Sequence, residues 1–232
     1  MGQKCNKRTA LRRLYFIVEG YTEREFVNKT LRPYFNYKGI YDVRAVEITT
    51  SKGHKGGLAK YTHLKRDIDN FLKSESEIIV TTFIDFFRIP SSMPRYTEML
   101  SEPTIDRKIA KLEQGMAEDI DDRRFVPYIQ KHEFEALLFS AKGGFELMYD
   151  DHRITNQLCS VVDEFENPEE INSRPDFAPS KRIINILASC GEKYDKVAEG
   201  NLIAEEIGIE IIIQKCPRFK NWVEKLELMV KS

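Results

Sequence analysis

The sequence predicts an α/β protein built on a mostly parallel sheet of about four strands flanked by helices. Two strongly apolar runs, Leu14–Val18 and Ile78–Ile84, the second with Thr81 and Thr82 inside it, read as strands buried on both faces, and each is followed by an acid, Glu19 and Asp85. Segments with helical periodicity alternate with these strands, an order that implies parallel pairing. At 232 residues and 41% hydrophobic composition, the chain is long enough to bury a sizeable core.

After a basic lead from Met1 to Arg13, the first strand stops at Glu19-Gly20. Thr22 is a candidate helix cap with Glu25 as its capping-box partner, so the chain is expected to turn from strand to helix within a few residues. A second strand is expected over Tyr41–Thr49, followed by a basic, glycine-containing loop and a helix over Ala59–Leu72. The run Ile78–Ile84 is the clearest strand. Pro90, Pro94 and Pro103 mark a loop before a polar helix over Thr104–Ile120, and a fourth strand is expected over Arg124–Gln130.

Beyond Ser140 the pattern is helical. Ser180 reads as the cap of a helix ending near Gly191, Ile209–Lys215 leans to helix, and Phe219, Trp222, Val223, Leu226 and Met229 form the apolar stripe of a terminal helix. The expected organisation is an α/β core over 1–140 and a helical C-terminal elaboration over 141–232, packed on the core.

The 36 Lys and Arg nearly balance the 37 Asp and Glu, so local patches rather than global charge must identify an anionic partner. The four cysteines, Cys5, Cys159, Cys190 and Cys216, lack the paired spacing of a zinc site and suit a reducing compartment. No apolar run approaches the roughly 20 residues needed to span a bilayer, and no signal-peptide core follows the basic N-terminus. The expectation is a soluble, cytoplasmic protein.

Ligands of open parallel sheets bind outside the carboxyl ends of the strands, where Glu19 and Asp85 stand. Glu23 sits on the first turn of the following helix. Three converging carboxylates repel one another unless a divalent cation neutralises them, and hard oxygen ligands point to Mg²⁺ or Mn²⁺. Simpler roles exist for two of them: Glu23 favours a helix N-terminus by about 0.3–1 kcal/mol, and Asp85 can bond backbone groups in its own turn. A carboxylate between a buried strand and Gly20 has no routine structural duty.

Four ordered motifs, Val18-Glu19-Gly20-Tyr21-Thr22-Glu23, Phe83-Ile84-Asp85-Phe86-Phe87, Lys131-His132-Glu133-Phe134-Glu135-Ala136-Leu137 and Pro179-Ser180-Lys181-Arg182, resemble a little-characterised bacterial Toprim-like family. That family is related to the Toprim domain of the overcoming-lysogenisation-defect nucleases. The resemblance implies a Toprim-like fold and a nuclease site in which Glu19 moves a proton or binds metal and Asp85 holds magnesium. It also implies an ABC-type ATPase encoded nearby and a setting of phage defence. Phe87 stands where the second aspartate of the Toprim Asp-x-Asp pair is expected, a departure that Glu133 or Glu135 would repair by reaching the same edge.

His132 is a supporting candidate for orienting phosphate, stabilising a leaving group or ligating metal, or else a structural histidine. Lys181 and Arg182, on a helix N-terminus that favours anions, suit a phosphate contact or a solvated basic pair. The segment Ser51–Arg66 carries Lys52, Lys55, Lys60, Lys65 and Arg66 without an acid, and reads as a track for nucleic acid or as a flexible solvated loop. The expected function is metal-dependent phosphodiester hydrolysis of DNA or RNA. Its rival is a non-catalytic subunit that binds the ATPase, nucleic acid or both.

Overall fold

The computed structural model of the chain describes residues 12–51, 54–171 and 177–231. Its strands are β1 (Arg13–Val18), β2 (Val43–Glu47), β3 (Thr49–Ser51), β4 (His54–Lys55), β5 (Ile78–Asp85), β6 (Phe125–Val126) and β7 (Ile129–Gln130). The main sheet has five strands in the order β2-β1-β5-β6, with β7 also pairing β5, and all these pairs are parallel. Strands β3 and β4 form a small antiparallel hairpin outside it.

The period-2 alternation of the two apolar runs divides their side chains between the faces of the sheet. Leu14, Phe16, Val18, Ile79 and Phe83 enter one core together with the helices of the C-terminal half, including Phe219 and Trp222 of the helix Pro217–Lys231. Tyr15, Ile17, Ile78, Val80 and Ile84 enter the other, against the helices Tyr61–Ser74 and Ile105–Ile120. Because both faces are covered, every residue of β5 is buried.

The expected fourth strand is two short ones. Pro127 has no amide hydrogen to donate to a ladder, and Thr82 fills the gap: its Oγ1 accepts from the Tyr128 amide and donates to the Tyr128 carbonyl, each at 2.8 Å. The second strand is shorter than expected, and its tail Thr49–Ser51 leaves the sheet to pair with β4. Within the proline-marked loop the chain also forms a short helix, Tyr96–Leu100.

Thr104 caps its helix by accepting from the Arg107 amide at 3.3 Å. The two caps expected from the sequence, Thr22 and Ser180, are corrected by the structure. The first helix begins at Tyr21 with Gly20 in the cap position and no side-chain bond, which places Thr22 inside the helix rather than ahead of it. Ser180 lies within the helix Pro179–Ser189, where proline at the first position sets the start and Ser180 bonds Glu133 instead.

Candidate metal centre

Strands β1 and β5 are parallel neighbours in register from Arg13–Ile78 to Val18–Phe83, so the residues that follow their apolar runs emerge at one edge. The Glu19 amide donates to the Phe83 carbonyl, and the Asp85 amide donates to Glu19 Oε2, each at 3.3 Å. Asp85 Oδ1 accepts from the Phe134 amide at 3.1 Å, tying the strand end to the 3₁₀ helix Phe134–Ser140. The hairpin loop folds back over the same edge, with the Gly57 amide donating to the Glu19 carbonyl at 2.7 Å. Gly56 and Gly57 make this turn at φ +91° and +77°, in the region glycine enters without strain.

Glu23 is buried on the first helical turn, where a Cβ on Gly20 would lie 3.3 Å from its Oε2. The absence of a side chain at residue 20 therefore leaves Glu23 its position. Lys196 approaches this group from the C-terminal half, its Nζ lying 3.7 Å from Glu23 Oε1 and 3.3 Å from Glu135 Oε2. Glu135 is fully buried, and neither of its carboxylate oxygens has a hydrogen-bond partner, so Lys196 meets it as charge against charge.

The crowding of acids in a partly dry site is visible in their proton affinities. Burial, and next the field of Glu23, raise the Glu19 carboxyl above its ordinary value. The same two causes raise Asp85 well above the usual carboxylate range, and Lys196 works against them. Burial pushes Glu135 up to about 7. Burial alone would depress the Lys196 ammonium, yet the summed fields of Glu135, Asp85, Glu23 and Glu133 hold it above its ordinary value. Glu19, Glu23, Asp85 and Glu135 thus share one electrostatic site with a lysine among them.

Glu133 faces elsewhere. Its Oε2 accepts from the Ser180 amide at 3.1 Å and from the Ser180 hydroxyl at 2.7 Å. Glu133 and Glu135 therefore diverge, one carboxylate going to a helix start and the other to Lys196. His132 sits at φ +68° with Nε2 3.0 Å from the Glu169 carbonyl. That contact assigns the proton to Nε2 and leaves Nδ1 a buried acceptor with no partner, while burial lowers the pKa and favours the neutral ring.

The basic candidates separate. Lys181 is exposed on the helix Pro179–Ser189. Arg182 is engaged by the chain itself: its guanidinium lies 5.5 Å and 5.9 Å from the rings of Phe165 and Phe177, 3.6 Å from Glu164, and donates to the Phe177 carbonyl. Lys60 is exposed ahead of the helix Tyr61–Ser74. Lys65 pairs with Asp119 and Arg66 with Asp67, so part of the basic segment is already neutralised. Lys52 and the side chain of Lys55 lie outside the described residues.

Among the described residues, no three Asp, Glu, His or Cys side chains are arranged to hold an ion as they stand. Lys196 lies where the acids converge. Sequence reading missed Lys196 because it belongs to the stretch between the helices Pro179–Ser189 and Ala198–Ile207, with no motif around it. The one available signal was arithmetic, since four acids gathered on one edge call for a cation from somewhere in the chain.

A family model described as a domain of unknown function, DUF4276, matches residues 18–227. The chain belongs to this family. The matched span of the DUF4276 chain takes in Glu19, Glu23, Asp85, Glu133, Glu135 and Lys196. Its fold is similar to the C-terminal region of the Burkholderia pseudomallei OLD protein, with a TM-score of 0.50, 13% identity, and coverage of 94% of this chain and 98% of that one. At that identity the likeness is one of fold. No curated protein matches the chain. No helix among the described residues is long and apolar enough to cross a membrane.

Proposed function

We propose that the DUF4276 chain is a metal-dependent phosphodiesterase acting on nucleic acid, with its centre at Glu19, Glu23, Asp85 and Glu135. The observation that carries this reading is the gathering of these acids at the carboxyl edge of adjacent parallel strands, around Lys196. Its fold likeness to part of the OLD protein and the four Toprim-like motifs support it.

The donors fit Mg²⁺ or Mn²⁺ chemically, being oxygen ligands only, and the Glu135 carboxylate, ion-paired with Lys196 but accepting no hydrogen bond, has lone pairs to offer. A divalent ion bound there would polarise the scissile phosphate and lower the pKa of attacking water. The residues supply the rest. Glu19, whose carboxyl burial and the field of Glu23 raise above its ordinary value, is placed to pass a proton to a leaving oxygen. Lys196 supplies fixed positive charge where a phosphate gains negative charge in the transition state. Lys181 and Lys60 remain exposed to meet the backbone, and an ABC-type ATPase partner in phage defence belongs to the same proposal.

A second reading has its own observation. Lys196 already pairs with two of the acids, Glu23 and Glu135, and Phe87 replaces a second aspartate, so the chain would stand as a non-catalytic subunit that binds nucleic acid or the ATPase. Calorimetric titration of Mg²⁺ and Mn²⁺ into the wild-type protein, Glu19→Ala and Asp85→Ala separates them. Binding by the wild type that both folded variants lose supports the enzyme. No binding by folded wild-type protein, with or without nucleic acid, supports the subunit.

A further inference from the structure

Directly after Asp85 the chain lines a cleft of about 290 Å³ with Phe86, Phe87 and Arg88, faced by Ile105, Lys108 and His132. Its volume is near the lower end of small-ligand sites, about 300–1,000 Å³. Glu133 also lines it, but its Oε2 is already bonded to Ser180. The cleft's lining neighbours the candidate metal centre along the chain: Phe86 follows Asp85, and Glu133 precedes Phe134, whose amide donates to Asp85.

Three features describe the occupant. Phe86 and Phe87 are half-buried rings that offer flat apolar surface, and the Arg88 guanidinium lies 5.1 Å from the Phe87 ring centroid. Arg88 and Lys108 supply positive charge, and neither has an ion-pair partner among the described residues. His132 closes one side as a side chain only 5% exposed, its Nδ1 enclosed by the protein. A flat ring attached to phosphates satisfies all three.

We propose that this cleft takes one unpaired nucleobase of a single strand, stacked on Phe87, with the adjoining phosphates on Arg88 and Lys108. The proposal rests on the nucleic-acid reading above and narrows its substrate to single-stranded or locally opened nucleic acid. Phe87, which breaks the Asp-x-Asp pattern, gains a purpose here: the position holds a base where a Toprim enzyme holds metal. Sequence-tolerant stacking of this kind suits a cleft whose flat surface comes from phenylalanine rings.

The test reads binding in EDTA, so it is independent of cleavage. Fluorescence anisotropy would compare a short single-stranded oligonucleotide, the same strand with abasic sites, and the corresponding duplex. The wild type should prefer the intact single strand to the abasic one by about tenfold or more, the scale of base–aromatic stacking, and bind the duplex more weakly. Phe87→Ala should bind intact and abasic strands alike, while Phe87→Trp should keep the preference. If Phe87→Ala does not fold, Phe87→Leu, which retains bulk without a π face, carries the same expectation. Equal binding of abasic and intact strands by the wild type, undiminished discrimination by a folded Phe87→Ala or Phe87→Leu, or no strand binding overturns the proposal. Metal-dependent cleavage with no base discrimination would leave the nuclease reading standing and remove this one.

Discussion

Lys196 and Glu135 form an ion pair in which the carboxylate is fully buried and the ammonium is 3.3 Å away, without a hydrogen bond to either Glu135 oxygen. Glu135, Asp85, Glu23 and Glu133 all act on the same lysine. Its removal would leave acids in a partly dry site with nothing to offset their repulsion. Breaking a buried pair costs about 3–5 kcal/mol, and because the lysine is part-exposed, Lys196→Met should cost about 2 kcal/mol. If divalent ions bind the same acids, Mg²⁺ or Mn²⁺ should restore part of the lost Tm in Lys196→Met and shift the wild type less. Thermal melts with and without the ions decide this, and an equal shift in both proteins would place the ion elsewhere.

The pH dependence of stability carries the same signature. The Glu135 carboxyl, at about 7 in the folded chain, binds its proton more tightly than its unfolded counterpart near 4.5. Between those values the unfolded state holds fewer protons, so the slope of stability with pH is negative. The contribution is fully present below about 4.5 and is lost as pH rises through about 7, on the order of 3 kcal/mol. Urea denaturation in EDTA across that window should show a decline that Glu135→Gln flattens. Parallel profiles for the two proteins would assign the decline to other groups.

The buried strands and the acids at their ends were legible because a parallel sheet covered on both faces needs runs without charged residues and rich in strand formers, which Leu14–Val18 and Ile78–Ile84 supply. Residues beyond those runs were harder. Local rules made Thr22 and Ser180 caps, but Gly20 and Pro179 start those helices, and Ser180 serves the distant Glu133. Arg182 looked free because its partners, Phe165, Phe177 and Glu164, are brought to it by folding. Lys196 lay furthest out of reach: its role comes from four acids, the nearest of them, Glu135, 61 positions away in the chain.

Glu169 gives a stability test away from the centre. This buried carboxylate accepts from the Arg218 amide at 2.8 Å and the Phe219 amide at 3.1 Å, satisfying the start of the helix Pro217–Lys231, which carries Phe219 and Trp222 into the core. Glu169→Ala strands two amides in a region with little water, a cost of about 2 kcal/mol. Chemical denaturation should show that loss, while Glu169→Gln, which keeps a carbonyl acceptor, should lose less. A neutral Glu169→Ala would mean that the amides find other partners.

Gly20→Ala tests the centre with a minimal change. Residue 20 has extended backbone, φ −156°, so alanine meets no conformational barrier there. Its added Cβ would sit 3.3 Å from Glu23 Oε2, tighter than ordinary contact, and that carboxylate must shift by a few tenths of an ångström. Stability should change by less than about 1 kcal/mol, since a flexible side-chain end gives way more easily than packed core. A ligand set tolerates less. Calorimetry should show Mg²⁺ or Mn²⁺ affinity reduced several-fold with Tm nearly unchanged, a split that a purely structural Glu23 would not produce. Unaltered affinity in a folded Gly20→Ala protein would remove Glu23 from the ligands and leave it as a partner of Lys196.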